Sequence, residues 1–140
     1  MTGASCRPDA CPATLNATDP LWKRLTMAIV GIGSLEPSPL LRQSGNAVSP
    51  EDLQLLRDAG AVGDICLRFF DERGIPVSSS FDDRVVGISV PQLLAVPRRV
   101  AVAGGERKEA AILGAVTGGL VNVLVTDVAT ARRLLAAAPT

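Results

Sequence analysis

The feature that most constrains the fold is a regular alternation in the last third of the chain. RVAVAGG, ERKEAAILGAVTGG, LVNVLVTD and VATARRLLAAA follow one another as strand, helix, strand and helix. Strands joined in this way by helices form a parallel sheet with covering helices and right-handed crossovers. Gly104–Gly105 and Gly118–Gly119 stand at opposite ends of the first helix, one pair as its start and the other as its stop. No internal repeat is present.

The rest of the chain fits the same α/β class. With 47% hydrophobic residues in 140, the chain can build one small core, and one domain is expected. Aromatic residues make up only 3%, so that core must be packed from small branched side chains. Residues 1–26 are rich in Thr, Ala, Pro and Asp without a sustained period, and are expected to form a loose arm that Trp22 pins to the body. MAIVGIGS predicts a buried strand ending at Gly31 and Gly33, and the prolines of LEPSP predict a loop after it. SPEDLQLLRDAG has the signals of a helix: Ser49 as N-cap, Pro50 in the first turn, Glu51 and Asp52 beside the positive end, Gly60 as the stop. Leu53, Leu55 and Leu56 are its expected buried face. AVGDICLRFFD is expected to be extended, with DERG turning the chain back toward IPVSSS. DRVVGIS predicts a short strand, and Ser89 caps a brief helix through PQLLAV that Pro97 ends.

Charge and residue choice exclude several function classes. Lys plus Arg and Asp plus Glu both total 14, so the chain has no basic field to draw it onto nucleic acid. The absence of His removes the usual neutral-pH acid/base and the commonest metal ligand. Cys6, Cys11 and Cys66 form neither a CxxC pair nor an even set, so neither a zinc site nor a disulfide framework is expected. The apolar runs are far shorter than the ~20 residues that span a bilayer, and residues 1–20 do not have the form of a secretory signal. These features predict a cytoplasmic protein without membrane contact, metal or cofactor.

Three segments carry candidate chemistry. In VAGGERKEAAI a buried strand runs through Gly104 and Gly105 into a helix, which places unpaired backbone N–H groups and the positive helix end where an anion can sit; Lys108 lies within reach. Strand-to-helix turns also use Gly for geometry alone, and first-turn lysines commonly face water. In GIGS, Gly31 and Gly33 follow an apolar strand at the mouth of a sheet crevice, although Leu35, Glu36 and Pro37 rule out a dinucleotide fingerprint. Tight-turn geometry explains these glycines equally well. In GDICLRFFD, Asp64 can accept hydrogen bonds from sugar hydroxyls and Arg68 can clamp a phosphate; their even spacing lets them share a strand face. The plainer alternative is a surface ion pair. Cys66 is expected in the core, Arg132 and Arg133 complement the negative end of the last helix, and Asp82, Asp83 and Arg84 are loop polar residues.

Taken in order, GIGS, LRDAGAVGDICLRFFDERGIPV, DRVVGIS, VAGGERKEAAILGAVTGGLVNVLVTD and ATARRLL resemble the second half of SorC-type sugar-binding domains, over residues 27–135. The resemblance implies a sugar-phosphate isomerase-like α/β fold, here a partial domain whose C-terminal half occupies residues 27–140. It also implies a phosphorylated sugar effector and a DNA-binding helix-turn-helix on another segment. By the same resemblance, Gly104, Gly105 and Lys108 face the effector phosphate, Asp64 and Arg68 contact hydroxyls or phosphate, and Gly31 and Gly33 shape the crevice floor. Leu67 stands where the family suggests a small residue, and Val128 where an acidic one is frequent.

Three functions are then in play. The first is an effector-binding module that is not an enzyme, with no direct nucleic-acid contact, associating as a homo-oligomer because a half-domain leaves an edge or apolar face open. The second is a sugar-phosphate isomerase-like enzyme using Glu106 and Lys108. The third is a truncated remnant that neither binds nor catalyses.

Overall fold

A computed structural model describes residues 19–36, 48–79 and 82–137. Most of the expected arm, and the prolines of the loop after GIGS, lie outside these residues. The element order is α1 (Asp19–Trp22), β1 (Met27–Gly31), β2 (Gly33–Ser34), α2 (Pro50–Asp58), β3 (Ala61–Ile65), β4 (Arg68–Asp71), α3 (Val90–Leu94), β5 (Arg98–Val102), α4 (Glu109–Thr117), β6 (Val123–Val125) and α5 (Val128–Ala137). Short 3₁₀ turns at Asp82–Arg84 and Glu106–Lys108 precede α3 and α4.

The predicted parallel sheet is present, in the order β1-β5-β6. Val100 of β5 lies opposite Ile29 and Val123, and two residues further along, Gly31, Val102 and Val125 line up at the C-terminal end. Alternation sends Ala28, Val30, Ala101 and Leu124 to one face, where they join Ala111, Ile112 and Ala115 of α4 in the main core. No described element covers the opposite face: Ile29 is 67% exposed, and Met27, Val102 and Val125 are about half exposed. β1 is therefore buried on one side only, not fully as its apolar run predicted.

A second sheet, β2-β3-β4, is antiparallel. AVGDICLRFFD is two strands, joined by a tight turn in which Cys66 and Leu67 both have positive φ, +54° and +60°. Two successive left-handed residues are the backbone of a type I′ turn, where small residues are favoured; this explains why a side chain as large as Leu67 is unexpected there. The turn also overturns two expectations. Cys66 is exposed at the tip, outside the core. Asp64 pairs with Phe69 and Arg68 with Ile65, so the two charged residues lie on opposite faces.

α4 joins the two sheets through contacts too close for side chains. A Cβ on Gly63 would enter the space of Ala111, one on Gly114 would lie 2.8 Å from the Asp71 carbonyl oxygen, and one on Gly118 would lie 2.6 Å from Gly74 Cα. Gly74 itself has φ +74°. Backbone therefore packs on backbone along this seam. Phe70, Ile65 and Ile112 fill the core beside it.

Local signals account for the helix ends. Ser49 Oγ accepts the Asp52 N–H at 3.0 Å, and Ser89 with Gln92 forms a reciprocal capping box. On α2, Leu56 is buried, but Leu55 is 61% exposed and does not belong to the buried face. DRVVGIS is a 3₁₀ turn followed by irregular chain. The Arg68 guanidinium takes the carbonyls of Asp82, Val85 and Ile88, groups that a strand would have offered to a neighbour. Arg133 lies in mid-helix and bonds Glu109 at 2.8 Å, so it links α5 to the start of α4 rather than complementing the end of α5.

Gly114→Ala tests the seam. The gain in helix propensity, up to about 1 kcal/mol, is outweighed by an overpacking cost of about 1–3 kcal/mol, so chemical denaturation is expected to show a net loss of about 1–2 kcal/mol.

Candidate functional site

The candidate residues gather where the parallel strands end. β1 closes at Gly31, β5 runs into Gly104 and Gly105, and β6 runs into Thr126 and Asp127. This is the end at which open α/β sheets receive ligands. Ile32 is buried and carries the chain from β1 straight into β2, so Gly33 sits against β3 directly opposite Asp64. The Asp64 carboxylate occupies the space a Cβ on Gly33 would need, which gives that glycine a close-approach role.

Asp64 Oδ2 accepts the Leu67 N–H at 3.0 Å and so braces the strained turn. Burial pushes its carboxyl above the ordinary value of 3.8, while the Leu67 hydrogen bond and the positive charge of Lys108 act in the opposite direction. A desolvated carboxylate beside a lysine is a strong acceptor for hydroxyl groups. Partial burial, then the charge of Asp64, raises the Cys66 thiol above 9.0, so it is not a nucleophilic thiolate at neutral pH.

Gly105 has φ +94° and ψ 147°, a conformation suited to glycine. Its N–H is not free for an anion, as the strand-to-helix turn had suggested. It is shared between Thr130 Oγ1 at 2.9 Å and Asp127 Oδ2 at 3.2 Å. Asp127 caps α5: Oδ1 accepts the Thr130 N–H at 2.8 Å, and Oδ2 accepts the Thr130 hydroxyl at 2.6 Å. The Thr130 hydroxyl and N–H bonds, followed by the Gly105 N–H, hold the Asp127 carboxyl down to about 2. Thr130 is wholly buried.

Thr126, Asp127 and Thr130 are absent from the sequence-derived candidates. The signal was there, since Asp ahead of a helix is an N-cap pattern. Thr126 Oγ1 is buried without a hydrogen-bond partner among the described residues. It lies 3.3 Å from the place a Cβ on Gly104 would take, and Asp127 Oδ2 lies 2.5 Å from it, so only glycine leaves this corner open.

The structure thus brings Gly31, Gly33, Asp64, Gly104, Gly105 and Lys108 to one end of the sheet. Arg68 is not drawn into this group. Its guanidinium faces residues 82–88 and meets Asp82 Oδ1 at 3.4 Å. Arg107 extends from the turn before α4 and donates to the Glu36 carbonyl at 3.0 Å, tying that turn to the segment after β2. No group of three or more metal-ligating side chains occurs among the described residues. No described helix is long and apolar enough to cross a membrane.

An acceptor carboxylate, a lysine and a hydroxyl unpartnered among the described residues thus lie at the C-terminal end of a parallel sheet, the end at which such sheets take small polar molecules. The chain belongs to the Sugar-bind family of sugar-binding domains, whose sequence model matches residues 14–136. It is 44% identical over 114 residues to the transcriptional regulator YjhU of Escherichia coli K12, covering 81% of this chain and 34% of that protein. It is 41% identical over 115 residues to the deoxyribonucleoside regulator of Bacillus subtilis 168, covering 82% and 36%. Among solved structures, the full-length sorbitol operon regulator SorC of Klebsiella pneumoniae superposes with TM-score 0.78 at 30% identity, over 89% of this chain and 39% of that one. The sugar-binding domain of a transcriptional repressor from Vibrio fischeri superposes with TM-score 0.77 at 31% identity, over 89% and 50%. The SorC-type resemblance is therefore real. The chain spans about a third of the curated relatives and half of that solved domain.

The Asp127 latch makes a pH prediction. A carboxyl held at about 2 when folded and 3.8 when free stabilises the fold above about pH 4, and this contribution is lost as pH falls through about 2. Asp127→Asn should melt lower than wild type at neutral pH, and the gap should close between about pH 4 and pH 2.

Proposed function

We propose that this chain is the effector-binding portion of a transcriptional regulator and takes a phosphorylated sugar at the C-terminal end of its parallel sheet. The observation that carries this reading is the desolvated Asp64 carboxylate in the field of Lys108, with the Thr126 hydroxyl, unpartnered among the described residues, beside Gly104 at the same end of the sheet. Lys108 attracts the phosphate, while Asp64 and Thr126 bond sugar hydroxyls. Gly31, Gly33, Gly104 and Gly105 shape the crevice. The relatives include regulators named for deoxyribonucleosides and for a sorbitol operon, which supports a sugar-like effector.

In this reading the chain binds its ligand without turning it over. Glu106, the acid/base candidate beside Lys108, is exposed on the turn, and the chain has no histidine to partner it. DNA contact belongs to a different segment, and the setting is cytoplasmic. The isolated chain associates with itself, because the bare face of the parallel sheet is an apolar surface open to water.

A thermal-shift panel of fructose, glucose, ribose, deoxyribose and glycerone phosphates, run on wild type and Lys108→Ala, tests the binding reading. A ligand at 100 times its dissociation constant stabilises the fold by about 2.7 kcal/mol; the shift is expected in wild type and lost in the variant. No shift with any sugar phosphate would leave a non-binding remnant as the better account, and turnover would restore the enzyme. Static light scattering is expected to show a mass that rises with concentration, and a clean monomer at high concentration would remove the self-association.

A further inference from the structure

Arg68 stands apart from the ligand end of the sheet, yet one turn of chain joins it to Asp64. Asp64 Oδ2 accepts the Leu67 N–H at 3.0 Å. Cys66 and Leu67 hold φ of +54° and +60°, a conformation that neither side chain favours, so the carboxylate supplies a support that the turn residues themselves do not. The next residue is Arg68. Its largely buried side chain donates to the carbonyls of Asp82, Val85 and Ile88 at 3.2–3.3 Å and meets the Asp82 carboxylate.

Three carbonyls on one guanidinium set the path of residues 82–88, a 3₁₀ turn and irregular chain that lead into the Ser89 cap of α3. Asp82 also accepts the Ser79 N–H at 2.9 Å, so the same node reaches back to the end of the preceding segment. Ile88 anchors the stretch in the main core, whereas Val86 is half exposed. At the other end of the chain of contacts, Asp64 faces two ways. Oδ2 is turned to Leu67, and Oδ1 is the atom nearest the place a Cβ on Gly33 would take. The positive charge of Lys108 acts on the same carboxylate from the turn before α4.

We infer that the β3–β4 turn couples the occupancy of Asp64 to the order of residues 82–88, with Leu67 and Arg68 as the connecting residues. A donor on Oδ1 holds the carboxylate in the position from which Oδ2 braces the turn. The braced turn fixes the base of the Arg68 side chain, and the guanidinium keeps its three carbonyls. Loss of the brace lets the turn leave its left-handed conformation, which moves Arg68 and frees the stretch before α3. Arg68 is thereby a positioning residue rather than a ligand contact, and the half-exposed Val86 lies on a surface that responds to the site. The ligand-driven part of this coupling rests on the sugar-binding reading, in which a sugar hydroxyl is the donor. The link from Asp64 through the turn to residues 82–88 does not.

The Arg84–Val85 peptide bond lies inside this stretch and is a trypsin site. Its cleavage rate in the native full chain, taken relative to cleavage after Arg24, reads how often residues 82–88 open. Asp64→Ala should speed it roughly tenfold, the factor expected for losing a hydrogen bond to a charged group. Cys66→Asn with Leu67→Gly, a pair that favours two left-handed residues unaided, should return the Asp64→Ala chain to the wild-type rate. Arg68→Met should also speed cleavage, and the same pair should not correct it. If Asp64→Ala does not fold, Asp64→Asn keeps an acceptor without its charge and should show a smaller acceleration with the same rescue. An unchanged rate in the Asp64 variant, or a rate that stays high once the pair is added, would overturn the coupling. Wild type is then titrated with the sugar phosphates of the thermal-shift panel. A ligand that raises the melting temperature should slow cleavage after Arg84 several-fold in wild type, and much less in the chain carrying Cys66→Asn and Leu67→Gly, whose turn no longer depends on Asp64. Binding without that slowing would also overturn the coupling. Absence of any binding would refute the sugar-phosphate reading and leave the comparison of variants to decide the link through the turn.

Discussion

The structure depends on the seam between α4 and the β3–β4 hairpin. Gly63 against Ala111, Gly114 against the Asp71 carbonyl, and Gly74 against Gly118 bring helix and hairpin backbones closer than any pair of larger residues allows. Because α4 also covers the parallel sheet through Ile112 and Ala115, this contact fixes one sheet relative to the other. It is also what brings Asp64 on β3 near Lys108 at the start of α4. A wider helix-to-hairpin spacing would separate carboxylate and lysine while leaving each element intact.

Two polar latches hold the ends of the parallel sheet. At the N-terminal end, the Arg99 guanidinium donates to the carbonyls of Leu94, Val96, Gly119 and Leu120, and Asn122 bonds the Arg99 N–H and the Pro97 carbonyl. At the other end, Asp127, Thr130 and the Gly105 N–H form a closed set, extended by Arg133 to Glu109. These groups are satisfied within the protein and serve its shape. Asp64 and Thr126 differ: one is a carboxylate held where burial disfavours its charge, the other a buried hydroxyl with no partner among the described residues. Polar groups that cost stability where they stand are reasonable places to look for ligand contacts.

Much of this was legible in the residues. Ser49, Ser89, Gly60 and the two glycine pairs marked helix ends because capping and positive φ are local requirements. The alternation from RVAVAGG onward gave the parallel sheet because it is a matter of period. The failures have a common cause. DRVVGIS has strand composition, but Arg68, seventeen and twenty residues away, takes its Val85 and Ile88 carbonyls. Cys66 and Leu67 carry no turn signature, yet they form a left-handed turn because the strands on either side pair with each other. Asp64 and Arg68 shared a face on paper and lost it to that same turn.

The sequence by itself determined the fold class and the family, since these follow from periodicity, local backbone demands and ordered motifs, and it pointed to the glycine-bearing strand ends as the candidate site. Only the tertiary structure decided which polar groups are spent and which remain available. Arg68 and the Gly105 N–H are engaged internally, while Asp64 is brought close to Lys108 and the Thr126 hydroxyl lies beside Gly104. It also decided that one face of the parallel sheet is left uncovered by the described helices. An apolar strand has the same composition whether one side or both are covered, and only the placement of the helices tells the two apart.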